Sequence, residues 1–121
     1  MNVRSFVPMA YVASVTRSSA FYQLLGFVEM NTHTPDGGQE PVWTWLRSGD
    51  AQLMLAQASE RIDPEKQAVL FYAYCDDVAA FRTMLIEKGI EAGPIERPFY
   101  APRGEFRISD PDGHVVMVSH T

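Results

Sequence analysis

A short helical pattern closed by glycine occurs twice in this chain, each time between two strand-like runs. The first copy follows an alternating apolar run, Val3 to Val12. It reads Ser14-Val15-Thr16-Arg17-Ser18-Ser19-Ala20-Phe21-Tyr22-Gln23-Leu24-Leu25-Gly26-Phe27. Ser14 is a natural N-cap, Phe21, Leu24 and Leu25 share one helical face, and Gly26 suits the left-handed position that ends a helix. The second copy leaves the strand-like run Ala68 to Cys75 through Asp76-Asp77. There Val78, Phe81 and Leu85 form the apolar stripe, Lys88 favours the C-terminal dipole, and Gly89 stops the helix before Ile90. Ala20-Phe21 and Ala80-Phe81 occupy equivalent places. One supersecondary unit has been used twice, which restricts the chain to few architectures.

The flanking runs complete the unit. After Phe27 come a strand to about Asn31, a polar loop from His33 to Glu40, and a strand from Val42 to Arg47. The turn Ser48-Gly49-Asp50-Ala51 leads to a strand from Gln52 to Gln57. After Gly89 come a strand around Ile90 to Glu96, a Pro-rich loop Arg97 to Gly104, and a strand Glu105 to Ser109. Asp110-Pro111-Asp112-Gly113 then supplies turn chemistry before a last strand, His114 to Ser119. The polar stretch 59–67 is the linker. The expected organisation is a single α+β domain over 1–121, with a βαβββ module over 1–58 and another over 68–121.

Composition sets the function classes. An apolar content of 46% with 21% charged residues is that of a globular protein able to bury a core. No apolar run is long enough for a membrane span, and the start, Met1-Asn2-Val3-Arg4, lacks the apolar core of a signal peptide. Cys75 is the sole cysteine, so no intrachain disulfide can form and a reducing cytoplasm is expected. A net charge of −5 argues against nucleic acid as a partner and mildly favours cationic small molecules.

Three elements in this order resemble the vicinal oxygen chelate (glyoxalase/bleomycin resistance protein/dioxygenase) superfamily, particularly its bleomycin-resistance-like branch. They are the run Ser18 to Phe27, Arg47-Ser48-Gly49-Asp50, and the run Glu105 to His114. The resemblance spans nearly the whole chain. It implies two βαβββ modules forming a cupped mixed sheet around a cavity, commonly completed by a second subunit. It also implies four positions where the superfamily's enzymes hold a divalent metal with His and Glu. By position these are Val7, Met54, Leu70 and Met117. None suits a hard or borderline cation, and the two thioethers suit only soft ions. The expectation is a protein with no metal and no cofactor.

Other chemistry is sparse. His33, His114 and His120 show no ligand spacing and read as solvated imidazoles. Cys75 precedes Asp76 and Asp77, whose charge opposes thiolate formation. Ser14, Ser18 and Ser19 lie around a helix start, where serines cap or solvate. No nucleophile elbow or Gly-rich phosphate loop is present.

Strand alternation is more informative. Residues sharing a face with the four lost-ligand positions include Met9 and Tyr11 in the first strand, with Phe6, Pro8, Ala10 and Val12 behind. In the strand Ala68 to Cys75 they are Tyr72 and Tyr74, with Val69, Phe71 and Ala73 behind. A two-residue loop at Gly49-Asp50 sets Met54 opposite Trp45 and Ala56 opposite Trp43, which turns both tryptophans to that face; a one-residue bulge reverses this. The resulting wall is Met9, Tyr11, Trp43, Trp45, Met54, Leu70, Tyr72, Tyr74 and Met117, with Gln52, the Tyr hydroxyls and the Trp N–H groups as polar handles. Phe99, Tyr100 and Arg103 make 97–104 a lid; the alternative is a solvated loop with Arg103 paired to Glu105. Such a wall fits sequestration of a small hydrophobic or aromatic compound, as in the antibiotic-resistance binding proteins that the sequence resembles. The competing readings are plain core, a lyase, isomerase or dioxygenase with a displaced metal site, and an interaction module. A homodimer with two pockets is expected.

Overall fold

The computed structural model describes residues 1–121, which divide into two compact units, Met1–Ile62 and Asp63–Thr121. The protein is α+β, with two helices and two small sheets.

In the first unit the sheet order is β1-β4-β3-β2, from β1 (Met9–Val12), β2 (Val28–His33), β3 (Trp43–Ser48) and β4 (Ala51–Gln57). β1 runs parallel to β4 and the other pairs are antiparallel. α1 (Val15–Leu24) lies against β4, β3 and β2. It starts where the sequence indicates: the Ser14 hydroxyl accepts from the Arg17 N–H at 3.1 Å. It ends in a Schellman motif, with Gly26 N–H donating to the Gln23 carbonyl and Phe27 N–H to that of Tyr22, and Gly26 at φ +105°. Ala10, Val12, Leu46, Leu53 and Leu55 are buried on one side of this sheet. A fully buried Leu such as Leu55 contributes about 1.5–3 kcal/mol through lost apolar exposure.

Four local expectations need correction here. β1 begins at Met9 rather than Val3, and Phe6 is 88% exposed instead of facing the helix. Pro8 has no N–H to give a ladder, and pairing starts only when its carbonyl accepts from Met54 N–H at 2.9 Å. His33 is the last residue of β2, paired with Trp43, and not part of the loop. The buried stripe of α1 is Val15, Ser18, Ser19, Phe21 and Tyr22, while Leu24 and Leu25 are half-buried. Ser18 and Ser19 are therefore interior residues: small side chains let the helix approach the sheet, and the Ser19 hydroxyl accepts from Gln23.

In the second unit the sheet order is β5-β7-β6, from β5 (Leu70–Tyr74), β6 (Glu105–Ser109) and β7 (Val115–Ser119). β5 is parallel to β7, and β6 is antiparallel to it. α2 (Val78–Glu87) is capped by Asp77, whose carboxylate accepts from Ala80 N–H, and lies against β6. Its end repeats the first: Gly89 N–H donates to Ile86, Ile90 N–H to Leu85, and Gly89 has φ +90°. Val78, Leu85, Phe106, Ile108, Val116 and Val118 are buried, whereas Phe81 is half-buried.

The strand expected over Ile90 to Glu96 does not form. Only an isolated bridge, Glu96 to Glu105, and a Gly93 N–H bond to the Arg107 carbonyl join this segment to β6. Pro94 interrupts the donors, and Arg82 of α2 takes the Ala92 and Gly93 carbonyls. The second module thus has three strands where the first has four. Val69, expected behind β5, precedes the strand and is exposed. Part of the expected linker also belongs to the second unit: Pro64–Lys66 forms one 3-10 turn, and the Gln67 amide donates to the Asp112 carbonyl.

Candidate functional site

Strand parity decides what each sheet shows on the side opposite its buried leucines and valines. In the first unit Ser48 pairs with Ala51, so Gly49-Asp50 is a two-residue loop and no bulge intervenes. Trp45 stands opposite Met54 and Trp43 opposite Ala56, while Met9 and Tyr11 of β1 pair with Met54 and Ala56. These residues share one face. Met9 and Tyr11 are exposed, and Trp43, Trp45, Gln52 and Met54 are half-buried. Large aromatic and thioether surfaces are thereby left in reach of a ligand or a partner.

One polar handle is already engaged. The Trp45 indole N–H donates to the Gln52 side-chain oxygen at 3.0 Å. That bond fixes the indole plane and leaves the Gln52 NH₂, with the Tyr11 hydroxyl, as donors available on this face.

The second unit presents a different set. Leu70, Tyr72 and Tyr74 of β5 pair with Val115, Met117 and Ser119 of β7. Tyr72 and Tyr74 stack at 6.0 Å with 23° between their planes, and both are exposed, as is Leu70. Met117 is half-buried between Tyr72 and Arg107. The Tyr72 phenol is pushed up from its ordinary value, first by loss of solvent, then by the Glu105 carboxylate, by Tyr100, which also hydrogen-bonds it, and by Tyr74.

The 97–104 segment leaves Phe99 94% exposed, edge-on to the Tyr100 ring at 5.3 Å. Arg103 is not paired with Glu105. Its Nη1 donates to His120 Nε2 at 2.9 Å, so that nitrogen accepts and the proton sits on Nδ1.

Glu105 is the residue that sequence reasoning passed over. It is 4% exposed, and its Oε1 is buried without a hydrogen-bond partner. The signal was available in the strand Glu105-Phe106-Arg107-Ile108-Ser109. Two apolar residues at even positions face the core, so Glu105 must stand on the tyrosine side.

The histidines also depart from expectation. His33 is exposed, but His114 is buried against Phe71, with Nδ1 3.0 Å from Asp110 Oδ2. The other Asp110 oxygen accepts from the Asp112 and His114 N–H groups, so this pair pins the turn. His120 is half-buried, with its Nδ1 unpartnered. Cys75 is half-buried, and burial foremost pushes its thiol up, with Asp76 and Asp77 adding; a backbone bond from Asp77 opposes them.

Val7, Met54, Leu70 and Met117, the positions that the resemblance assigns to metal ligands, carry neither carboxylate nor imidazole, and no three His, Cys, Asp or Glu residues group to hold an ion. No helix is long and apolar enough to cross a membrane.

Comparison with known proteins places this geometry in context. Residues 6–118 match the family model described as Glyoxalase/Bleomycin resistance protein/Dioxygenase superfamily. No curated protein matches the sequence. Among solved structures, a bleomycin-binding protein complexed with bleomycin is 20% identical, with TM-score 0.75, covering 98% of this chain and 99% of its own. A bleomycin resistance determinant encoded on the transposon Tn5 is 20% identical, with TM-score 0.76 and 98% coverage of both chains. The fosfomycin resistance protein FosX from Listeria monocytogenes is 14% identical, with TM-score 0.71, covering 99% of this chain and 93% of its own.

Proposed function

This chain belongs to the Glyoxalase/Bleomycin resistance protein/Dioxygenase superfamily, and from that premise we propose that it binds and sequesters a small, largely apolar aromatic compound. The observation that carries the reading is the outer face of each sheet. On the first, stiff strands hold Trp, Tyr and Met side chains half out of the fold, and on the second Tyr and Met stand out in the same way beside Glu105. Aromatic rings on a rigid scaffold bind flat ligands with little loss of side-chain entropy. Sequestration needs affinity and no reacting group, which suits a chain whose lost-ligand positions are apolar. The bleomycin-binding relatives support a small-molecule partner.

The protein works, on this reading, as a homodimer in a reducing compartment, the second copy covering part of the exposed apolar surface. A specific interface of that kind buries roughly 800 Å² per partner.

Thermal-shift screening with planar aromatic compounds, followed by tryptophan-emission titration, tests the proposal. A true ligand raises stability by about 2.7 kcal/mol at a hundredfold excess over Kd and quenches Trp43 and Trp45 saturably. A screen in which no planar aromatic raises the melting temperature defeats the reading. Sedimentation at micromolar concentration tests the dimer; a 13.6 kDa species would exclude it.

A further inference from the structure

Resting on the reading of these faces as ligand-binding, we propose that Glu105 is an ionic anchor that selects aromatic ligands carrying a protonated nitrogen. Glu105 opens β6, and with Phe106 and Ile108 turned inward it shares the side of Met117 and the Tyr72–Tyr74 pair. An interior carboxylate is kept only where something compensates it, because an unpaired buried charge is costly. Here Oε1 finds no such compensation within the chain. Oε1 has no partner, Arg103 is held by His120, and Arg107, next on that face, is exposed and forms no ion pair with it.

The surroundings indicate what should fill the gap. Glu105 pairs with Ser119, which pairs with Tyr74 on its other side, so the register sets the carboxylate on the face of the stacked tyrosines. Tyr100 of the 97–104 segment adds to the field at the Tyr72 phenol. Ring faces carry negative potential and an anion stands among them, a combination that attracts cations. A protonated amine or amidine can donate to Oε1 while its aromatic body lies against Tyr72 and Tyr74. A ligand with no donor leaves that oxygen orphaned, and an anionic one is repelled.

Calorimetric titration of the wild-type protein and Glu105→Gln with 2-naphthylmethylammonium and 2-naphthylmethanol at neutral pH tests this. The wild type should bind the ammonium about tenfold more tightly than the alcohol, and Glu105→Gln should bring the ratio close to one. Equal wild-type affinities for the two probes would overturn the anchor and leave the aromatic-binding reading intact. Failure of both probes to bind would overturn both. A measurement independent of the variant's folding is the ¹³C carboxyl resonance of Glu105 in the wild type. It should move on adding the ammonium and stay put with the alcohol; a resonance that ignores saturating ammonium sinks the proposal.

Discussion

The two repeats share a local plan and differ in the faces they build on it. α1 and α2 are each ten residues long, capped at the start by a Ser or Asp side chain and closed by the same pair of backbone bonds around a glycine. The first repeat then completes four strands and offers a face of Trp, Met and Tyr, where the Trp45 N–H and Gln52 satisfy each other. The second stops at three strands and offers tyrosines beside a buried, unpartnered carboxylate. The helix ends agree because their backbones make the same demands, while the exposed faces differ: one is a stacking surface, the other carries a carboxylate among its rings.

The largest expected contrast lies in the turns. Gly113 and Gly49 both have positive φ, but a Cβ on Gly113 would meet the Pro64 carbonyl oxygen at 2.7 Å, whereas nothing lies within 4 Å of one on Gly49. Gly113→Ala should cost about 3 kcal/mol or more, combining backbone strain with a clash against main chain. Gly49→Ala should cost about 1 kcal/mol, from strain alone. Urea unfolding of the two variants checks this; equal losses would mean that the Pro64 contact yields freely.

Next in size is the stacking face. On the proposed function, Trp45→Ala weakens an aromatic ligand by about 2 kcal/mol, near a thirtyfold rise in Kd, because one rigid ring is removed and the Gln52 oxygen loses its donor. Calorimetry with a compound found by screening reads the effect, and an unchanged Kd would assign binding to the tyrosine face instead.

The helix ends should respond alike. Gly26 and Gly89 have φ of +105° and +90°, and no heavy atom comes closer than 3.6 Å to a Cβ at either. Alanine at each should cost about 1 kcal/mol, and the two losses should agree within about 0.5 kcal/mol. A large inequality, again from urea unfolding, would show that the shared motif carries different loads.

The smallest effect concerns pH. The Tyr72 phenol is raised in the folded state, so its protonated form is favoured there. Its contribution to stability is fully present below the unfolded value near 10 and declines as pH rises through the higher folded value. Tyr72→Phe should flatten the alkaline fall in melting temperature slightly, since the side chain is partly solvated. Glu105→Gln should move the ionisation of Tyr72 to lower pH in an ultraviolet titration; an unmoved titration would separate the two groups electrostatically.

Most of the fold was written in local chemistry. Helix caps, Gly-closed ends, the Gly49-Asp50 loop and the period-two alternation of β3, β4 and β5 are decided by residues a few positions apart, so the chain announces them. The sharing of one face by Trp43, Trp45 and Met54 followed from the same arithmetic. What misled was local as well: Val3 to Pro8 and Ile90 to Glu96 look extended, yet a strand exists only where a neighbour accepts its hydrogen bonds, and Pro8 and Pro94 withhold the donors.

Burial of polar groups was the tertiary structure's decision. Ser18 and Ser19 on α1 and His114 behind Phe71 read from sequence as capping or solvated residues, and all three are interior, as is Glu105 on β6. Periodicity assigns a side chain to a face of its own element, and that much the chain determined. Whether the face is then covered depends on which element packs over it, a matter of contacts between segments distant in sequence. Apolar residues disclose their burial through the hydrophobic effect that drives it, whereas a polar residue goes inside only when its neighbours supply compensation. Asp110 supplies it for His114; for Glu105 we assign that role to the ligand.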